Sequence, residues 1–411
     1  MRLRATAVRS VAGIRIAMAV VAVISALAVT AHAAPTAAPS LSQKLTVALR
    51  GPYLPPGHTA AVAIDLDSGQ LVYAHNDTKP VIPASNEKLP VAWAALVTLG
   101  PAYRFHTELY GVGSRDGSTW NGDLILKGFG DPTLARADLA SIARRLEKLG
   151  ITTVDGRVRG DESFYDKARG VSSWKRGFLG IESPPLSALV VDRARGWPSL
   201  SPPLLAAKAL TEELARAGVR VSGLPGLGRA PASAVPLVSD RSAPLGDIVR
   251  FMNHESDNFT AEMLLKQLGA ATGEVGTTAG GSAVVKRAMK SAGIPTAGVQ
   301  LMDGSGLSPA DRVTAETLVR ILEAGWHNPE IRDTFVRSLA VAGTSGTMRR
   351  RLPMLKGVVR AKTGTTDLAC SLSGFVGARY AFVVVENGSP VAYWTARQAQ
   401  DRFVTLLASE T

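Results

Sequence analysis

Residues 60–74, AAVAIDLDSGQLVYA, alternate apolar and polar side chains in two runs flanking Asp67-Ser68-Gly69, a pattern that predicts a β-hairpin. The period changes beyond Pro83-Ala84-Ser85-Asn86-Glu87-Lys88. There residues 91–99 are rich in Ala, Leu and Val, as for a turn entering a buried helix. From residue 104 to about 240 the pattern breaks into short strand-like pieces such as Leu124-Ile125-Leu126, with Gly-Asp, Asp-Pro and Pro-Pro turns and one helical run over 204–217. Residues 245–268 are again helical in period, interrupted at Ser256-Asp257-Asn258, and residues 358–385 read as strands. The outer segments, 34–103 and 241–411, thus predict one α/β domain, interrupted over 104–240 by an inserted, mostly β domain. No repeat at a solenoid period is present.

Residues 1–33 stand apart. Arg2, Arg4, Arg9 and Arg15 come without an acid, an apolar run follows over 16–29, and Ala31-His32-Ala33 offers a small-residue cleavage site. This is the pattern of a secretory signal peptide cleaved near Ala33, and the run falls short of the ~20 residues that span a bilayer. The mature chain is therefore expected to be secreted or held in the cell envelope, beginning with the Pro/Ala/Ser-rich linker 34–40.

Composition narrows the chemistry. With 46% hydrophobic and 19% charged residues in 411, the chain is globular and long enough for two or three domains. The single cysteine, Cys370, excludes an internal disulfide and multi-thiolate zinc sites, and the six histidines show no metal spacing; no metal or organic cofactor is expected. Loss of the four leader arginines takes the formal charge from +12 to +8, still enough to favour an anionic wall polymer or membrane surface. Nucleic acid is not an expected partner, because basic clusters interleaved with aromatics and recognisable binding modules are lacking.

Ser85 and Lys88 stand three apart where a helix should begin, so their side chains share one face. A serine hydroxyl becomes a nucleophile once a base takes its proton, and a lysine serves if burial or a neighbouring cation keeps it partly neutral. The spacing alone is weak: Ser172 and Lys175 repeat it, and such a pair is ordinarily a helix cap with a solvated lysine. Ser256-Asp257-Asn258 and Lys362-Thr363-Gly364, followed by Thr365, change the balance. S-x-x-K, S-D-N and K-T-G occur in this order in serine acyl-transfer enzymes.

Beyond these motifs, PASNEKLP (83–90), GDLILKGFGDPTL (122–134), PPLSALVVD (184–192), ESDNFTAEMLL (255–265), DGSGLSPADRVT (303–314) and VAGTSGTMRRRL (341–352) carry a specific resemblance. The chain resembles the penicillin-binding D-alanyl-D-alanine carboxypeptidases of low-molecular-mass class C, peptidase family S13. The resemblance implies a penicillin-binding transpeptidase-like domain, an antiparallel sheet covered by helices. It implies Ser85 as the acylated nucleophile and Lys88 as its base, with Ser256, Asn258 and Lys362 completing the proton and substrate network. It further implies substrate contacts at Asp257, Thr363, Gly364 and Thr365, and an oxyanion hole from the N–H groups of Ser85 and Thr365. The implied substrates are peptidoglycan stem peptides, with β-lactams as inhibitors.

Two departures are visible. Family members carry a long strand-rich insert after the stretch matching PPLSALVVD, whereas here Arg195 runs almost directly into SPPLLAAKAL, and Pro90 falls early in the Ser85 helix, where a lost N–H can kink it. A class A β-lactamase shares the three motifs. However, Ser256 follows Ser85 by 171 positions, which accommodates an inserted domain, and Glu262-Met263-Leu264-Leu265-Lys266 ends wrongly for the E-x-x-L-N of that class. An inactive wall-binding protein would not need all three motifs intact. Among weaker candidates, Asp161 and Tyr165 are placed to line a side-chain pocket if the insert folds over the cleft, while His254 and Cys370 read as structural.

Overall fold

The computed structural model describes residues 39–273 and 275–411; the expected signal peptide lies outside the described residues. The predicted hairpin is formed by antiparallel strands Thr59–Asp65 and Leu71–His75. Asp65 Oδ1 closes its turn by accepting the N–H groups of Asp67 and Ser68 at 3.1 and 3.0 Å, and Gly69 supplies the positive φ of +69° that the turn requires.

This hairpin completes a six-stranded antiparallel sheet. In spatial order the strands are Ala340–Val341, Val359–Thr365, Ala369–Val376, Tyr380–Asn387, Thr59–Asp65 and Leu71–His75. The N-terminal strands therefore join the C-terminal ones, and everything between leaves the sheet and returns. Because both faces are covered, the central strands are apolar nearly throughout, and alternate residues serve two cores. Val383 and Val385 pack with Leu89, Leu96, Leu318 and Leu322 of helices Lys88–Leu99 and Ala315–His327. Phe382 and Val384 pack with Leu45 of helix Leu41–Ala48 and Phe403 and Leu407 of helix Tyr393–Ala408.

Residues 106–241 hold a second sheet with its own core. The strand order is Arg220–Val221, Thr153–Asp155, Thr119–Gly128, His106–Asp116 and Val235–Arg241, while Val158–Asp161 pairs with Thr119–Gly128 and with Gly226–Leu227. Four of its pairings are parallel, and parallel neighbours need crossovers. Helix Arg136–Lys148 and helix Pro202–Arg216 lie between the strands concerned, so this segment is more helical than the mostly β expectation. The first helix escaped the sequence reading because only Leu139, Ile142, Ala143 and Leu146 of RADLASIARRLEK are buried, a narrow stripe at spacings of three and four between turn-rich stretches. Residues 40–411 form one compact unit.

Candidate active site

Ser85 lies in the 3₁₀ turn Ala84–Glu87, which runs directly into helix Lys88–Leu99. Lys88 is fully buried, with Nζ 3.1 Å from Ser85 Oγ. Pro90 occupies the first turn of the helix, where N–H groups are ordinarily unpaired, and the helix continues through it.

Helix Leu245–Glu255 ends at Ser256, held at φ +57°, and Asp257 caps helix Asn258–Ala270 by accepting the Thr260 N–H at 2.8 Å. This sharp turn delivers Asn258 to Lys88: its Oδ1 accepts from Lys88 Nζ at 2.8 Å, while Nδ2 donates to the Glu182 carbonyl at 3.0 Å. One contact orients the amide and leaves its second N–H for a ligand. Asp257, expected to touch substrate, receives both N–H arms of Arg193 at 2.7 and 3.1 Å, in addition to the Thr260 N–H. Burial pushes the Asp257 carboxyl up, but these hydrogen bonds outweigh it and hold the group below the usual range.

The third motif ends strand Val359–Thr365. Lys362 is buried, and its Nζ donates to Ser256 Oγ at 2.8 Å and to the Thr363 carbonyl at 2.7 Å. The Thr363 hydroxyl bonds that of Thr347 at 2.8 Å, and Thr365 is exposed. A Cβ on Gly364 would stand 2.2 Å from Ser371 Oγ, 2.9 Å from Ser85 N and 3.0 Å from the Pro83 carbonyl. Glycine here lets the strand press against the nucleophile turn, bringing the Ser85 N–H beside the residue preceding Thr365.

A participant not expected from the side chains is the Ser305 carbonyl, which accepts from Lys88 Nζ at 2.6 Å. It lies in DGSGLSPADRVT, which the sequence marked only as one of the stretches that carry the family resemblance. Burial pulls the Lys88 ammonium down to about 8, against the opposing charges of Asp303, Glu262, Asp257 and Glu87. Lys362 is lowered well below the ordinary lysine range by burial and by the nearby charge of Lys88. Burial and the proximity of Asp303 push Glu262 up to about 8; Glu87 is raised well above the carboxylate range by burial, Asp303 and Glu262.

The second S-x-x-K does not assemble a site of this kind. Lys175 Nζ pairs with Asp367 Oδ2 at 2.6 Å, while Ser172 lines a separate cavity with Thr278 and Met302. Lys175 lies with Phe178, Glu182, Leu307, Thr365 and Asp367 around a cleft of about 450 Å³ that adjoins the K-T-G strand. Buried Asp161 accepts the N–H groups of Ser163 and Ala230 and borders a cavity with Lys167 and Arg229, and the buried Tyr165 hydroxyl donates to Gln267 at 2.7 Å. Cys370 is buried, which pushes its thiol up to about 11. Among the described residues no group of three or more His, Cys, Asp or Glu side chains is placed to hold a metal ion, and no helix is long and apolar enough to cross a membrane.

An antiparallel sheet flanked by helices, with S-x-x-K, S-D-N and K-T-G converging beside one of its strands, defines the class of penicillin-recognising serine enzymes. More narrowly, the chain belongs to the D-Ala-D-Ala carboxypeptidase 3 (S13) family, whose model matches residues 41–204 and 197–410. It is similar to the D-alanyl-D-alanine carboxypeptidase of Actinomadura sp. (strain R39), 30% identical over 437 aligned positions that cover 85% of this chain and 81% of the relative. It is also similar to carboxypeptidase DacB of Mycolicibacterium smegmatis, 29% identical over 90% and 84% of the two chains. The fold matches the crystal structure of penicillin binding protein 4 (dacB) from Haemophilus influenzae with a TM-score of 0.76. That match has 24% identity and covers 90% of this chain and 98% of the other.

Proposed function

We propose that this chain is a serine D,D-carboxypeptidase that removes the terminal D-alanine of peptidoglycan stem peptides through an acyl-enzyme on Ser85. The observation that carries the mechanism is the setting of Lys88 Nζ, buried and within hydrogen-bond reach of Ser85 Oγ, Asn258 Oδ1 and the Ser305 carbonyl. A neutral amine has two N–H donors and one lone pair. With its donors on Asn258 and Ser305, its lone pair is left to accept the Ser85 proton. The ammonium then formed has three donors for the same three oxygens, so proton transfer strands no group.

Ser85 Oγ attacks the carbonyl carbon of the penultimate D-alanine as its proton passes to Lys88, and the Ser85 and Thr365 N–H groups receive the developing oxyanion. Breaking the C–N bond returns a proton to the departing amine of D-alanine, with Ser256, hydrogen-bonded to Lys362 Nζ, as the relay. Water then hydrolyses the ester and frees Ser85. Cleavage of a D-alanyl cross-link follows the same steps with a different leaving amine. Thr363 and Thr365 serve the substrate directly; Gly364 acts through packing, and Asp257 acts through the turn it caps.

β-Lactams enter as acylating inhibitors. The rival β-lactamase reading needs a carboxylate that activates the deacylating water. Glu262 Oε1 is committed to the Gly304 and Ser305 N–H groups, at 3.0 and 2.8 Å, in a fully buried setting. We assign the chain to the space outside the cytoplasm, read residues 104–240 as an inserted domain, and attribute to the net positive charge an affinity for anionic envelope surfaces. Intact-protein mass spectrometry after exposure to benzylpenicillin tests the central assignment. One drug mass is expected on the wild type and none on Ser85→Ala; labelling of the variant would sink it.

A further inference from the structure

Asn258 and Glu262 stand four residues apart on one face of helix Asn258–Ala270, so both point toward Lys88. Asn258 reaches the amine directly. Glu262 reaches the loop that supplies the amine's other acceptor: Oε1 takes the Gly304 N–H at 3.0 Å and the Ser305 N–H at 2.8 Å, and the carbonyl of that same Ser305 takes Lys88 Nζ at 2.6 Å. Glu262 is fully buried, and its second oxygen has no partner among the described residues, so every hydrogen bond it makes goes to this loop. A buried carboxyl is costly to keep in a core, and here its return is two satisfied backbone donors in a segment without regular structure.

The loop is braced at its other end by Asp303. Its Oδ1 accepts the Gly306 N–H at 2.7 Å, and its Oδ2 accepts the Ser308 N–H and the Trp174 indole N–H, both at 2.8 Å. Gly306 in turn lies against the nucleophile turn, where a Cβ would fall 1.9 Å from the Ala84 carbonyl. Two side-chain carboxyls thus stand in for the ladder that a strand or helix would give this loop.

We infer that Glu262 is a positioning residue for acyl transfer, holding the Ser305 carbonyl at the distance where it orients the Lys88 amine toward Ser85. The inference rests on the reading of Ser85 and Lys88 as nucleophile and base. Without the Glu262 acceptor the loop's two N–H groups must find other partners and the carbonyl moves with them. A misplacement of about an ångström in a catalytic array costs on the order of 100-fold in rate.

The test is single-turnover acylation by benzylpenicillin, read as a maximal rate constant and a half-saturating concentration. Glu262→Leu, close in size and lacking an acceptor, is expected to lose about 100-fold in the rate constant with little change in half-saturation. Glu262→Gln keeps an oxygen at Oε1 and is expected to recover most of that loss. Gly304→Ala disturbs the loop from the opposite side, because its Cβ would stand 2.7 Å from the Ala261 carbonyl; it is expected to reproduce the Leu phenotype. If Glu262→Leu does not fold, Gly304→Ala and Glu262→Gln carry the test. Wild-type rates in Glu262→Leu or Gly304→Ala would overturn the inference, as would a loss in Glu262→Gln equal to that in Glu262→Leu. Failure of the wild type itself to acylate would instead overturn the reading of Ser85 and Lys88.

Discussion

The burial of Lys88 fixes how acylation should depend on pH. A lysine at its ordinary value of 10.5 is neutral in about one molecule in three thousand at pH 7; at about 8, the neutral share is about one in ten. The site therefore gains roughly 300-fold in competent base without any change in geometry. Because the neutral form does the work, the sign is fixed: acylation should rise about tenfold per pH unit up to about pH 8 and then level off. Ionisation of Glu262, itself pushed up to about 8, adds negative charge beside Lys88 over the same interval and broadens the rise. The measurement is stopped-flow acylation by a chromogenic cephalosporin from pH 5.5 to 9.5, with folding checked by circular dichroism at each pH. A flat profile between pH 6 and 9 would refute the reasoning, since no buried lysine could then be limiting. Lys88→Arg, a permanent cation, should lie several orders of magnitude below the plateau at every pH.

Other expectations follow from the same geometry. Ser85→Ala should abolish both penicillin labelling and D-alanine release, whereas Ser172→Ala should leave both near the wild-type level, measured by labelling and by a coupled D-alanine assay. Gly364→Ala should slow acylation by on the order of 100-fold in single-turnover measurements, because the new methyl meets Ser371 Oγ and the Ser85 N–H and must separate strand from turn. The penicilloyl adduct should persist for minutes while a D-alanyl-D-alanine peptide turns over, followed by mass spectrometry after removal of free drug; decay within a second would require a deacylating base in place of Glu262. Glu386, buried and pushed up to about 8 by desolvation, binds its proton more tightly folded than unfolded, so its contribution to stability is present in acid and lost as pH rises through about 8. Glu386→Gln should accordingly melt higher than the wild type at pH 9, with the advantage vanishing toward pH 5 in thermal denaturation.

How far the sequence could be read depended on where a function's signal sits. The hairpin around Asp67-Ser68-Gly69, the break at Ser256 and the strands beyond residue 358 were legible because period and turn chemistry agree at each. Helix Arg136–Lys148 was not, since its polar residues mask a four-residue stripe. Within the site, motif order singled out Ser85, Lys88, Ser256, Asn258 and Lys362, and the geometry brings these five side chains together. The Ser305 acceptor was illegible for a simple reason: a backbone carbonyl looks the same in every residue. Glu262 was noticed only as a failed match to another enzyme's motif. Its burial under the Ser305 loop, which no spacing rule reports, gives it a different meaning. Gly364 was marked by resemblance as a substrate contact, and its closeness to Ser371, Ser85 and Pro83 adds a packing role that the motif does not spell out.

The contacts made by residues 174–193 bear on how such a chain tolerates rearrangement. Trp174 bonds Asp303, Glu182 receives the Asn258 amide, and Arg193 clasps Asp257, so the second and third supports of the catalytic lysine are steadied from outside the six-stranded sheet. All three ties leave their segment before Gly196. Lengthening the chain after Arg195 would leave them intact, whereas excision of residues 104–240 would remove all three. The 437 aligned positions laid over 85% of a 411-residue chain require long gaps on this chain's side, so its relative carries residues that this chain does without. An engineer wishing to graft a binding module onto this enzyme should therefore cut after Arg195, downstream of all three ties.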